Sequence, residues 1–374
     1  MSFHFSRKKL LYTIYLVVAI PLLMELALRI YNPFNFRIKG NKILLQANRR
    51  FVIYNKSIPV IDSIIIHRKN GLGMRGPDKP ESFEKYLSVI TVGGSTTECG
   101  YINEGKTWSD LLLKRIRNDF PGAWLNNAGL AGHSTFGHTV LLEDYLLKLK
   151  PKVILFLVGC NDMLLDSLRP SDKSNMKGYY ATFYTFLTKN SELCSVLVNL
   201  WRTRTMKSNH LDDTYYDLEV HKKDHFFIPE TAIRERLDQT RKYLPAYAAR
   251  LQNIIDICLK NNIRPVLITQ PSLYGKGIDE ATGADLETVK HDEKTNGRLW
   301  WEQLQLYNQT TASVAAKNNI LLIDLASRLD KGSRYFYDYV HFTNRGNDKV
   351  SEIVYESLSP YLREQFLPGK RIIH

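Results

Sequence analysis

The chain has 374 residues, 44% of them hydrophobic, and a formal net charge of +13. That length and apolar content exclude a disordered or fibrous protein and allow a large core, one major domain with appendages. Residues 1–50 hold nine Lys or Arg and one acid, so +8 sits there and +5 in all the rest. A basic excess confined to one terminus suits a membrane-flanking segment, and no nucleic-acid motif accompanies it, so no nucleic-acid partner is expected. Cys99, Cys160, Cys194 and Cys258 have no metal-ligand spacing and are too few for a disulfide scaffold; they leave the redox compartment open.

At the N-terminus Arg7-Lys8-Lys9 precedes an apolar run over residues 10–24, interrupted by Thr13 and Pro21 and closed by Glu25 and Arg29. A spanning helix needs about 20 residues, so residues 1–31 are expected to form one, with Tyr12, Tyr15 and Tyr31 near the interfaces. No small-x-small site follows the run, which favours an uncleaved signal anchor over a cleaved signal peptide. The basic cluster ahead of it favours a cytoplasmic N-terminus; Arg37, Lys39 and Lys42 just beyond weaken that asymmetry. A buried core helix is the alternative. Residues 32–85 read as a connecting region. Asn32-Pro33 ends the helix, residues 61–66 suggest a short strand, and residues 70–77 are a glycine-rich loop whose Arg75 either faces a ligand or is structural.

Residues 87–92 are an apolar, β-branched run that stops at Gly93-Gly94, with Ser95 next: a buried strand ending in a tight turn. The pattern then predicts a helix over 108–117, with Leu111, Leu112 and Ile116 on one side, and a strand over 124–127. A small-residue turn at 127–135 leads into a helix around 139–149, stopped before Pro151. Residues 153–158 are a continuous apolar strand that ends in Gly159-Cys160-Asn161-Asp162. A long helix is expected over 230–260, kinked at Pro245. A strand at 265–269, a helix at 298–317, a strand at 320–323 and a final helix from about Asn344 complete the series. This alternation implies an α/β fold: a doubly wound parallel sheet of about five strands with helices on both faces.

The turns at Ser95, Gly132 and Asn161 all follow strands of one parallel sheet, so all face the carboxyl edge where such sheets bind ligands. Near the end, Asp338 and His341 lie three apart just before a helix. That spacing lets a carboxylate hold one imidazole nitrogen while the other faces a nucleophile. Each motif is weak alone. Together Gly93-Gly94-Ser95, Gly132 in Ala-Gly-His-Ser, Gly159-Cys160-Asn161-Asp162 and Asp338-Tyr339-Val340-His341, in this order between residues 86 and 360, resemble the SGNH hydrolases, or GDSL-type esterases and lipases. One departure is that the serine turn reads Gly-Gly-Ser-Thr rather than Gly-Asp-Ser-Leu, which removes no catalytic group. The resemblance implies a flavodoxin-like sheet, Ser95 as nucleophile, His341 as base and Asp338 as its orienting partner. It implies an oxyanion hole made by the N–H groups of Ser95 and Gly132 and the side-chain amide of Asn161, with no metal and no cofactor. Gly129 rivals Gly132, and the Gly-His-Ser context favours Gly132. Asp162 is expected to anchor its own turn. His133 and His138 read as loop or helix-start residues, and Cys160 adjoins the site without an evident base.

Residues 100–107, Gly-Tyr-Ile-Asn-Glu-Gly-Lys-Thr, match the phosphate-loop pattern, with residues 320–324 as a conceivable acidic strand. A phosphate loop must spring directly from its strand, and this one starts eight residues after Val92, so nucleotide binding through Lys106 is the last alternative. Two insertions, 163–229 with an aromatic run at 179–186 and 274–297, are placed to cover the site and select the substrate. The aromatic run is either core packing or a platform for sugar rings or a membrane surface. The resulting expectation is a membrane-anchored serine esterase whose hydrolase domain, residues 86–374, lies outside the cytoplasm. Its substrate would be an acyl ester, O-acetyl included, on an envelope or exported glycan. Acyl transfer by the same residues, hydrolysis of lipid or lysophospholipid esters, and a non-enzymatic envelope-binding role are the alternatives.

Overall fold

Strand β1 (Leu87–Gly93) is buried at every residue, as are β2 (Ala123–Asn127) and β3 (Val153–Val158). Side chains alternate between the two faces of a strand, so total burial means that both faces are covered. This is why the runs read as continuously apolar rather than alternating. With β4 (Arg264–Thr269) and β5 (Leu322–Ile323) they form a five-stranded parallel sheet of order β2-β1-β3-β4-β5. The Trp108–Asp119 and Asn344–Phe366 helices pack together as one helical layer. The Thr135–Leu141, Leu244–Lys260 and Gly297–Lys317 helices pack as the other. The order places β1 between β2 and β3, so the turn after β1 lies at the point where the chain reverses its direction of winding, the usual ligand position of such sheets.

The computed structural model describes residues 7–34, 36, 38–39, 42–167, 179–208 and 215–367; Arg37 and parts of the first insertion lie outside them. The described residues fall into two compact units, one within 1–44 and 173–212, the other within 45–172 and 213–374. The first unit contains the Arg7–Ile30 helix, which is long and apolar enough to cross a membrane, with a mean hydropathy of 2.1 and no burial over its apolar window. At its end Glu25 accepts the N–H groups of Glu192 and Leu193 at 3.1 and 2.9 Å and the Ser191 hydroxyl at 2.8 Å. It thereby caps the Glu192–Ser208 helix. Arg29 donates to the Asn190 carbonyl at 2.7 Å. The aromatic run of the first insertion falls in the Tyr179–Asn190 helix, where Phe183 and Phe186 are exposed.

Two expectations in the second unit need correction. The predicted strand at 61–66 is Ile64–Lys69, paired antiparallel with Arg49–Tyr54. Ile61 belongs to the connecting loop, which the Asn55 side chain closes by donating to the Ile58 and Asp62 carbonyls. The long helix at 230–260 is two, Glu230–Arg241 and Leu244–Lys260, because Pro245 lacks the N–H a helix interior needs and fits the first turn of a new helix.

Arg75 fastens this hairpin region to the sheet. Its backbone exchanges hydrogen bonds with Asn127 at the end of β2, at 3.0 and 2.8 Å. Its side chain is wholly buried, and the guanidinium donates to the carbonyls of Glu98, Cys99 and Ile102 at 3.0, 2.6 and 2.9 Å. Of the two readings of Arg75, the structural one is what the fold shows. Arg75→Met removes the guanidinium from all three carbonyls; Cys99 O keeps the Ile102 N–H at 3.0 Å, while the Glu98 and Ile102 carbonyls lose this donor, and unsatisfied buried acceptors cost roughly 1–3 kcal/mol each before relaxation. Urea unfolding of the detergent-solubilised chain is therefore expected to show a loss of about 3 kcal/mol; a loss under about 1 kcal/mol would show that other donors replace the guanidinium.

Candidate active site

The chain leaves β1 at Gly93 and turns at once into a short helical turn, Ser95–Glu98, closed by Glu98 N–H to Gly94 O at 2.9 Å and Cys99 N–H to Ser95 O at 2.8 Å. Ser95 heads this turn. Its hydroxyl lies 2.7 Å from His341 Nε2, and His341 Nδ1 lies 2.6 Å from Asp338 Oδ2. The other Asp338 oxygen accepts the backbone N–H groups of Val340 and His341, at 2.9 and 2.7 Å. These two bonds lock the carboxylate in place and leave Oδ2 for the ring. An ionised carboxylate only accepts, so Nδ1 carries the proton and Nε2 presents its lone pair to Ser95. Asp338 and His341 are both buried, and the ring of Tyr337 stacks on His341 with centroids 5.5 Å apart.

The other two strand-end turns close on the serine turn. Asn161 Nδ2 donates to the His133 carbonyl at 3.0 Å, joining the turn after β3 to the turn after β2. A Cβ on Gly94 would lie 2.1 Å from the same Nδ2 and 3.4 Å from the His133 carbonyl. The three turns therefore meet at Gly94, where an added side-chain carbon would have to push the Asn161 amide aside. Gly132 sits in a turn closed by His133 N–H to Leu130 O at 3.1 Å, with φ +74°. Its rival Gly129 has another task. The Gly129 N–H is held by Asn127 Oδ1 at 2.8 Å, and a Cβ there would stand 2.3 Å from the Glu98 nitrogen. Gly129 thus lets the turn after β2 lie against the back of the serine turn.

A serine, an imidazole and a carboxylate in series, with the Asn161 amide beside the serine turn, is an arrangement suited to acyl transfer. Residues 91–349 match the GDSL-like lipase/acylhydrolase family. The chain belongs to that family. As a member it is an ester hydrolase. Among solved structures it is similar to an acetyl xylan esterase, AlAXEase, at 17% identity over 72% of this chain and 98% of the other, with a TM-score of 0.41. A catalytic mutant of Axe2, an acetylxylan esterase from Geobacillus stearothermophilus, is 14% identical over 74% and 92%, with a TM-score of 0.40. A GDSL-like lipase from Parabacteroides merdae is 12% identical over 73% and 96%, with a TM-score of 0.43. No curated protein matches the chain.

The remaining candidates of this acylhydrolase have structural settings. Asp162 accepts the Thr135 N–H at 3.1 Å and hydroxyl at 2.5 Å and pairs with Arg250 at 3.2 Å, so its side chain ties the turn after β3 to the helix after β2 rather than bracing its own turn. Burial pushes its carboxyl up to about 6 against the pull of Thr135 and Arg250. Burial pushes His138 down to about 3, so it stays neutral at working pH. All four cysteines are free, and burial raises the Cys99 and Cys258 thiols to about 12. Lys106 of the phosphate-loop lookalike pairs with Asp62 at 2.7 Å. Thr107 caps the Trp108–Asp119 helix, and Gly105 N–H donates to Asp110 at 3.0 Å, so the segment is a connection held by its own neighbours. The second insertion packs inward: Tyr274, Leu286 and Val289 are buried, and His291 lies 5.0 Å from Tyr339 in ring contact. With Leu273 N–H donating to the Tyr339 carbonyl at 3.0 Å, it braces the loop that carries Asp338 and His341.

Sequence reasoning passed over Glu98, Lys69 and Asn127. Glu98 stands three residues after Ser95 and accepts the Ala131 N–H at 2.7 Å, and Lys69 pairs with it at 3.2 Å. Asn127 donates to the Thr97 carbonyl. Lys69 occupies the inward phase of the Ile64–Lys69 strand with Ile65 and His67, which the residue types at those positions do not reveal. Gly94→Ala is expected to displace the Asn161 amide and lower ester turnover about 10²-fold, the typical cost of losing one oxyanion donor, with the melting temperature little changed. Equal turnover by wild type and variant would show that the Asn161 amide has no part in the reaction.

Proposed function

We propose that the chain is a membrane-anchored serine esterase that hydrolyses acyl esters, O-acetyl groups included, carried by a glycan outside the cytoplasm. The observation that carries the chemistry is the hydrogen-bonded series from Ser95 through His341 to Asp338. In this reading Ser95 Oγ attacks the ester carbonyl carbon and its proton passes to His341 Nε2. The imidazolium is stabilised by Asp338, and it returns the proton to the departing alcohol. Water then attacks the acyl-serine, gives its proton to Nε2, and the acid leaves as Ser95 is restored.

The negative oxygen formed in each step would be met by the N–H groups of Ser95 and Gly132 and by Asn161. The Asn161 amide has two N–H bonds, and the His133 carbonyl takes one of them. The second remains for the oxyanion. The anchoring part of the proposal rests on the Arg7–Ile30 helix, at 1.5 Å per residue about 36 Å long, together with the basic residues ahead of its apolar stretch. The glycan rests on that placement.

A fluorophosphonate probe should label wild type and fail to label Ser95→Ala; equal labelling would end the serine-hydrolase reading. Nitrophenyl esters of rising chain length then separate the alternatives. Turnover that falls beyond acetyl and propionyl supports a short-chain esterase, whereas turnover that climbs with chain length would move the substrate to lipid esters.

A further inference from the structure

We propose that Glu98 is a positioning residue of the esterase site, holding the Gly132 amide in register with Ser95 through its bond to Ala131. The proposal rests on the reading of Ser95 as nucleophile and Gly132 as oxyanion donor. Glu98 lies one turn past Ser95 on the same Ser95–Glu98 helical turn. Its Oε2 accepts the Ala131 N–H at 2.7 Å, and its Oε1 pairs with Lys69 Nζ at 3.2 Å. The two side chains are only 8% and 14% exposed, Lys69 and Glu98 respectively. A charge-assisted bond in such a setting is short and directional.

Its place on the turn matters. Other links tie the turn after β2 to the serine turn: Asn127 Nδ2 on the Thr97 carbonyl, the close approach of Gly129 to the Glu98 nitrogen, and the Leu130 N–H on the Gly93 carbonyl at 3.0 Å. All of them act ahead of Ala131. The far end carries the Ala131–Gly132 peptide, whose N–H is the candidate donor. Gly132 has φ +74°, a region glycine enters without cost, so its own backbone does not fix that peptide plane. Glu98 fixes the residue immediately before it. The bond therefore connects nucleophile and donor through a single side chain, and both ends move together.

Lys69 makes this arrangement possible. A buried carboxylate needs a counter-charge, and Lys69 supplies it from the Ile64–Lys69 strand, ahead of the 91–349 segment that matches the family. The same strand brings His67, which burial and the neighbouring Arg75 and Lys69 push down to about 3, so its imidazole is neutral beside Glu98. The site is thus set from outside the family segment: Arg75 holds the carbonyls of Glu98 and Cys99, and Lys69 holds the Glu98 side chain.

The test compares two double variants of the full chain, each removing the buried pair so that neither leaves a lone buried charge. K69M/E98Q retains an oxygen that can accept the Ala131 N–H; K69M/E98L does not. With nitrophenyl acetate, kcat of K69M/E98L is expected to lie at least about 30-fold below that of K69M/E98Q, with KM within about 3-fold and similar melting temperatures. Equal kcat in the two would overturn the proposal and leave Glu98 a structural ion-pair partner. If K69M/E98L does not fold, Glu98→Asp serves: it keeps the charge beside Lys69 and shortens the reach to Ala131. A fall in kcat of about 10-fold or more at an unchanged melting temperature supports the proposal, and wild-type kcat overturns it. Ser95→Ala in the same assay separates the two levels, because retained turnover there would overturn the esterase reading itself.

Discussion

Everything at the site depends on how closely three strand-end turns can approach one another at Gly94. A hydroxyl at a strand end is common, and it becomes useful only when amides from neighbouring turns reach the same point in space. The missing side chain at Gly94 permits that, since a single added carbon would stand 2.1 Å from the Asn161 nitrogen. The order of the sheet supplies the rest. β1 lies between β2 and β3, so the turns on either side of Ser95 belong to the strands that pair with β1, and their separation is set by the roughly 4.8 Å strand spacing. The loop with Asp338 and His341 arrives last in the chain, immediately before the helix that packs on the Trp108–Asp119 helix.

Such convergence brings backbone polar groups together in a buried place, and they must be satisfied. Below the serine turn this is done by charged side chains from the hairpin region. Arg75 answers three carbonyls, Lys69 answers Glu98, and Glu98 answers an amide. Asn347 Oδ1 accepts the Trp108 N–H at 2.8 Å and the Cys99 thiol at 3.3 Å, which ties the last helix to the same segment. A cluster of this kind is poor at adding net stability, because desolvation offsets most of the attraction between its charges. Its effect is geometric: each group has one arrangement that satisfies it, so the turn has one shape.

The sheet and the Ser95, His341 and Asp338 series were legible in the sequence because each is local. Residues 153–158 are apolar throughout since both faces of β3 are covered, and the Asp338–His341 spacing needs only four residues to express. The supporting shell was not legible, for the opposite reason. Lys69 and Arg75 act on residues 29 and 23 positions away, and no short pattern records a bond of that length. The Ile64–Lys69 strand was misplaced because its inward residues include His67 and Lys69, which a hydrophobicity pattern assigns to solvent. Pro245 was visible, but a proline in a long helical pattern is compatible with a kink or a fresh start. Here the turn at Lys242 and Tyr243 decides for a fresh start.

The phosphate-loop lookalike shows why position outweighs letters. Its pattern is complete from Gly100 to Thr107, yet a phosphate cradle requires backbone amides at a strand exit, pointing at one ligand. That exit is taken by Gly93 and Gly94, and the amides of the lookalike face within the protein: Gly105 toward Asp110, Lys106 toward the Asn103 carbonyl. Lys106 reaches back to Asp62 in the hairpin loop, and Arg75 grips Ile102 within the segment itself. The segment thus serves as the strap between the serine turn and the Trp108–Asp119 helix. The residues that a phosphate would need are engaged elsewhere: Lys106 with Asp62, Glu104 N–H with the Ile66 carbonyl and Gly105 N–H with Asp110, which fasten the strap to the hairpin and to the start of the next helix.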